Sequence, residues 1–220
     1  MARQVPIGVL ISGGGTNLQA IIDAVEAKTL DAKIEIVFSN KADAYGLVRA
    51  QRHNLPTAVL DHKAVATREA YDQAVVDLLR ARGVELVALA GFMRLLSPVF
   101  VKAYSNRIMN IHPALLPSFP GLQVQRQAVE RGVRFSGCTV HFVNEECDEG
   151  PIIIQAAVPV FPDDTEASLA ARILKQEHRI YPRAIQLYSE GRLRIEGRKV
   201  LVEGLAKEED QVLVQPPLHK

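Results

Sequence analysis

Asn110 and His112 stand two positions apart at the end of a hydrophobic run, in the stretch NIHPALLPSFPG over residues 110–121. On an extended strand, residues i and i+2 share a face, so the amide and the imidazole are expected to point together. Both can donate to an oxygen that turns negative as a carbonyl is attacked. Imidazole also moves protons near neutral pH. The pair therefore suits transfer of an acyl-type group. Pro113 biases His112 toward an extended backbone, and Pro117 and Pro120 stiffen the excursion that follows. The competing use of both side chains is to hydrogen-bond this proline-rich loop. A charged histidine calls for a carboxylate nearby. The stretch NEECDEG, residues 144–150, offers Glu145, Glu146, Asp148 and Glu149 at the end of another strand, and spacing alone does not choose among them.

A second candidate is SGGGTN, residues 12–17. Gly13, Gly14 and Gly15 let the backbone approach a ligand with no Cβ in the way. Thr16 and Asn17 open a helix whose free N–H groups favour an anion. The loop lacks the GK[ST] of a nucleotide-binding P-loop. It also departs from the dinucleotide fingerprint, because Leu18 replaces the third glycine and the second strand ends in FSNK without an acid. A phosphate cradle that binds no dinucleotide is the expectation, with a structural turn as the alternative.

Glu177 interrupts an otherwise apolar helix face formed by positions 169, 173, 177, 180 and 184. A carboxylate there requires an internal salt bridge or the rim of a ligand site. The six histidines are scattered without ligand spacing, so no metal site is expected. No serine sits in a GxSxG elbow. Cys138 and Cys147 are two cysteines with no CxxC pair, read as reduced thiols of a cytoplasmic protein. A formal net charge of +1 gives no field for nucleic acid or an anionic membrane. No apolar run reaches the roughly 18 residues of a membrane span.

These groups must be positioned by a framework, and hydropathy patterning supplies one. Strands are predicted at 5–11, near 34–38, at 84–92 and at 107–112. Helices are predicted over 17–28, 43–53 and 67–82, with a short one near 98–104. This alternation implies a mostly parallel, twisted α/β sheet with helices on both faces and a Rossmann-like N-terminal half. After a helix over 122–131, the runs GCTVHFVN and PIIIQAAVPV are close enough in sequence to pair antiparallel. A long helix starts near 163, with Asp163 and Glu166 as its expected N-terminal cap, and ends at Gly191. RLRIEGRKVLVEG reads as a hairpin. One domain over 1–202 is expected, followed by a C-terminal tail, 203–220, without a convincing element and free to move.

Taken in order, VLISGGGTNLQAII, VFSNKADAYGL, LAGFMRLLSP, NIHPALLPSFPG and QEHRIYP resemble the phosphoribosylglycinamide formyltransferase family, across residues 5–202. The resemblance implies transfer of a formyl group from 10-formyltetrahydrofolate to the amine of glycinamide ribonucleotide, in purine biosynthesis. It places the catalytic trio on Asn110, His112 and Asp148. It assigns the phosphate to Gly13, Gly14, Gly15, Thr16 and Asn17, and a ribonucleotide contact to Glu177. The folate cleft falls on Arg68, Met93, Arg94, Leu95, Leu96, Asn110, His141, Asn144 and Asp148. Partners are the two small-molecule substrates, with no metal, in a monomer or homodimer. Cys147 and Glu149 depart from the family's common form, which has an aliphatic and a small residue there. A formyltetrahydrofolate deformylase, with water as acceptor, is the closest rival. A formyltransferase acting on methionyl-tRNA and a non-catalytic binding module are further alternatives.

Overall fold

The computed structural model describes residues 4–61, 63, 65–204, 213 and 215. Nine strands form one sheet, built around β1 (Val5–Ile11), β2 (Ala32–Ser39), β3 (Thr57–Val59), β4 (Leu86–Leu89) and β5 (Ile108–His112). These five run parallel in the order β3-β2-β1-β4-β5. The order reverses between β1 and β4, the switch point at which such sheets bind ligands beyond their carboxyl ends. β6 (Phe135–Phe142) and β7 (Ile152–Pro159) add antiparallel beyond β5, followed by the hairpin of β9 (Lys199–Val202) and β8 (Leu193–Glu196). The α/β sheet with a parallel Rossmann-like half and an antiparallel C-terminal addition is the expected class. β3 is an additional edge strand: TAV is too short to show a period, and only pairing with β2 defines it.

Helices α1 (Thr16–Glu26), α2 (Tyr45–Arg52), α5 (Val124–Glu130) and α6 (Glu166–Ser189) pack on one face, and α3 (Arg68–Ala81) and α4 (Pro98–Ala103) on the other. Strand alternation divides the core. Val5, Ile7, Val9 and Ile11 of β1 meet Leu18, Ile21 and Ile173, whereas Leu10 meets the layer of Tyr71, Val75 and Leu79. Both faces of β1 are covered, which explains its unbroken apolar run.

The start of α6 differs from the expectation. Its cap is Thr165, whose hydroxyl accepts from Ser168 N–H at 3.2 Å while Ser168 Oγ accepts from Thr165 N–H at 3.0 Å. Neither Asp163 nor Glu166 plays that part. Asp164 instead accepts from Arg172, whose guanidinium holds its carboxyl well below the usual carboxylate range. The inward stripe of α6 is also Leu169, Ile173, Glu177, Tyr181 and Ala184, so Tyr181 takes the turn expected for Ile180. The Tyr181 hydroxyl lies 3.0 Å from the carbonyl oxygens of both Leu89 and Met109, bracing β4 against β5. Among the described residues, no helix is long and apolar enough to cross a membrane. The expected tail lies, apart from four of its residues, outside the described ones.

Candidate active site

The strand ends of β5 and β6 assemble the central cluster. Antiparallel pairing sets Asn110 opposite His141 and His112 opposite Thr139. Asn110 Nδ2 donates to His141 Nε2 at 3.3 Å, and His141 Nδ1–H donates to the Phe142 carbonyl at 2.9 Å. These partners select the tautomer. His141 is 1% exposed, and that burial, partly opposed by the Phe142 bond and the Asp148 charge, lowers its pKa. The neutral ring is thus an acceptor that orients the Asn110 amide and leaves its other N–H free.

His112, 4% exposed, donates Nε2–H to the Phe119 carbonyl at 2.8 Å. Its Nδ1 faces Asp148 Oδ2 at 3.5 Å, and Asp148 Oδ1 lies 3.8 Å from His141 Nε2. The expected alternative therefore holds for one nitrogen of one residue: His112 does bond its own loop, while Nδ1 and the Asn110 amide do not. Of the four acids left open by spacing, Asp148 reaches this cluster. Glu149 turns away and pairs with Arg198 at 2.9 Å, so its charge is spent on the β8–β9 hairpin.

Both flanking loops are held firmly. Thr139 Oγ1 donates to the Ala114 carbonyl at 2.7 Å and accepts from Leu116 N–H and Gln155 Nε2. The excursion 113–120 contains a cis Leu116–Pro117 bond. Asp148 sits at φ 57°, a left-handed conformation disfavoured for a residue with a Cβ, and accepts from Gly121 N–H at 3.0 Å. Gly150 lets this loop return: a Cβ there would lie 1.7 Å from the Phe142 carbonyl oxygen. Asn144 Oδ1 accepts from Glu146 N–H at 3.2 Å within the same loop.

Across the switch point lies the glycine loop. Gly15, at φ 69°, precedes the first turn of α1, and the Gly13 carbonyl accepts from Gly46 N–H at 2.9 Å. Asn17 Nδ2 donates to Glu177 Oε2 at 2.7 Å. Burial raises the Glu177 pKa, and the Asn17 bond partly offsets it. Glu177 has an amide partner from the glycine loop in place of an internal salt bridge. Asn17 Oδ1 is buried without a partner, an acceptor suited to a ligand hydroxyl or amine. Behind it, burial and the Glu177 charge push the Cys138 thiol up to about 12, so this cysteine is an inert core residue.

Two residues of the framework were not read from the sequence. Ser12, 5% exposed, donates Oγ–H to Asn40 Oδ1 at 2.6 Å and accepts from Met93 N–H at 2.8 Å. It ties the ends of β1 and β2 to the segment after β4. In the sequence Asn40 stands in FSNK, a strand end lacking an acid, and its amide is the signal that marks it. On that segment Met93 and Leu95 are 63% and 64% exposed. Arg94 stacks over Tyr71 at 4.5 Å, and Arg68 donates to the Leu96 carbonyl at 2.5 Å. The expected folate residues thus fall into two groups: Asn110, His141, Asn144 and Asp148 at the β5–β6 end, and Arg68 with 93–96 beside α3.

A family model described as formyl transferase matches residues 5–185. The chain belongs to the formyl transferase family. Within it, the phosphoribosylglycinamide formyltransferase of Escherichia coli (strain K12) is 47% identical over 210 residues, covering 92% of this chain and 99% of the relative. The trifunctional purine biosynthetic protein adenosine-3 of Drosophila melanogaster is 51% identical over 191 residues, covering 86% of this chain but 14% of that longer protein. Among solved structures, glycinamide ribonucleotide transformylase 1 from Symbiobacterium toebii superposes with a TM-score of 0.90 at 54% identity, covering 92% of this chain and 95% of that one. Formyl transferase members thus share both the fold and nearly the full described length.

Proposed function

We propose that this protein transfers the formyl group of 10-formyltetrahydrofolate to the amine of glycinamide ribonucleotide, yielding the formylated ribonucleotide and tetrahydrofolate. The observation that carries the reading is the convergence of the Asn110 amide, His112 Nδ1 and Asp148 at the end of β5, in a formyl transferase family member. The neutral amine attacks the formyl carbon, and the carbonyl electron pair moves onto the formyl oxygen. Asn110 N–H and an Nδ1–H of protonated His112 hold that oxygen. Asp148, at 3.5 Å from Nδ1, compensates the imidazolium charge. As the intermediate collapses, the bond to the folate nitrogen breaks, and that nitrogen receives the proton lost by the new ammonium. No covalent enzyme intermediate is required.

The ribonucleotide phosphate is assigned to Gly13, Gly14, Gly15, Thr16 and Asn17, with Glu177 beside them. The unpartnered Asn17 Oδ1 supports a donor-bearing ligand at this loop. Met93, Arg94, Leu95 and Leu96 are assigned to the folate ring system, and Arg68 to its acidic tail. One assay tests the reaction: the protein is mixed with 10-formyltetrahydrofolate, with and without glycinamide ribonucleotide. Folate release that requires the ribonucleotide is expected. Equal release in water alone identifies a deformylase, and no release in either case identifies a binding module.

A further inference from the structure

An open cleft of about 430 Å³ runs along α1 from the glycine loop, lined by Thr16, Gln19, Ala20, Asp23, Arg49 and His178. The glycine loop lacks the lysine that many phosphate loops use, and its backbone N–H groups carry only partial charge. Arg49 reaches that loop from α2. Its Nε donates to the Gly14 carbonyl at 2.8 Å and one terminal nitrogen to Gln19 Oε1 at 3.3 Å. Its guanidinium lies 5.1 Å above the Tyr45 ring. All these partners are neutral, and among the described residues no carboxylate pairs with Arg49. His178 contributes no fixed charge, because burial lowers its pKa. Asp23 lies seven residues from Thr16 on α1, about 10 Å along the helix axis, and accepts from Gln19 Nε2 at 2.9 Å. Within the cleft the Gln19 amide stands between Arg49, on the Gly14 side, and Asp23.

We propose that Arg49 is the cation that recognises the phosphate dianion of the acceptor substrate, and so selects a ribonucleotide over the corresponding riboside. This rests on the assignment of the glycine loop as the phosphate site. The Gly14 carbonyl and the Tyr45 ring hold the guanidinium in place before the ligand arrives, so little side-chain freedom is lost on binding. Its remaining N–H groups then meet the phosphate oxygens that the α1 N-terminus also faces. Charge-assisted hydrogen bonds of this kind correspond to about 10- to 100-fold in binding.

The test compares kcat/KM for glycinamide ribonucleotide and for glycinamide riboside, which lacks the phosphate, in the parent and in Arg49→Met. The parent is expected to favour the ribonucleotide. Arg49→Met should lose about 10- to 100-fold on the ribonucleotide through KM, lose little on the riboside, and keep its KM for the folate. Equal losses on both acceptors overturn the proposal, because Arg49 would then only brace Gly14. A parent indifferent to the phosphate overturns the glycine-loop assignment as well, which separates the two failures. If Arg49→Met does not fold, Arg49→Gln and Arg49→Lys read the same ratio. Glutamine should behave as described for methionine, and lysine should retain part of the preference.

Discussion

At the residue scale, the proposed chemistry depends on donors whose orientation is set by neighbours. Asn110 has one N–H engaged by neutral His141, and the other is the donor assigned to the formyl oxygen. Removing such a donor typically costs about 3–4 kcal/mol of transition-state stabilisation. Asn110→Ala should therefore lower kcat by about 10²–10³-fold while circular dichroism remains that of the parent; near-parent turnover rejects the assignment. His141 yields a pH prediction of definite sign. Its folded pKa lies below the ordinary histidine value of about 6.5, so the unfolded chain takes up a proton that the folded chain refuses. Stability from the neutral ring is whole above about pH 6.5 and is lost as pH falls below it. Burial shifts His178 in the same direction. The urea midpoint of the parent should fall between pH 6.5 and 5, and His141→Gln should flatten that slope. An identical slope in the variant would assign the acid sensitivity elsewhere.

At the scale of elements, two glycines of the same loop are constrained differently. A Cβ on Gly13 would meet nothing within 4 Å, whereas one on Gly15 would lie 2.6 Å from Gly46 Cα, at a φ of 69°. Gly15→Ala should thus destabilise the fold by at least about 1–2 kcal/mol from the left-handed backbone alone. Gly13→Ala should leave the urea midpoint in place and raise KM for the ribonucleotide, since the added methyl enters open space that the proposed function gives to the ligand. Parent KM in Gly13→Ala would remove that residue from the phosphate site. Ser12 joins this loop to its surroundings, bridging β1, β2 and the Met93 backbone across the switch point. The geometry of the loop proposed for the ribonucleotide is therefore tied to that of the segment proposed for the folate.

For the whole molecule, both core layers share the same central strands, with Val9 and Ile11 on one side of β1 and Leu10 on the other. Neither layer can come apart without exposing the sheet that supports its partner. We therefore expect one domain and a single cooperative transition, in which far- and near-UV circular dichroism coincide in urea. Two resolved transitions would divide the described residues into separate units. The β8–β9 hairpin reaches the acidic loop through Arg198 and Glu149, but that pair is exposed. Solvent screens such pairs, so Arg198→Ala should leave the transition almost unmoved.

What the sequence by itself determined is local and periodic: apolar runs for β1, β4 and β5, helical stripes for α1 and α3, glycines at a strand end, and Asn110 and His112 on one face. These follow from side-chain alternation and backbone sterics, which act over a few residues. Residue chemistry alone left the choice among four acids open, and the resemblance pointed to Asp148; in the fold, that choice depends on how the 144–150 loop turns, with Gly150 against Phe142 and Glu149 drawn to Arg198. The tertiary structure alone revealed the neutral His141 behind Asn110, the Ser12–Asn40 tie and the place of Arg49 against Gly14. Each pairs groups distant in the chain, and no local pattern encodes their meeting. The cap of α6 is the opposite case, a purely local choice: Asp163 and Glu166 matched one capping pattern, but Thr165 and Ser168, also three residues apart, close the helix.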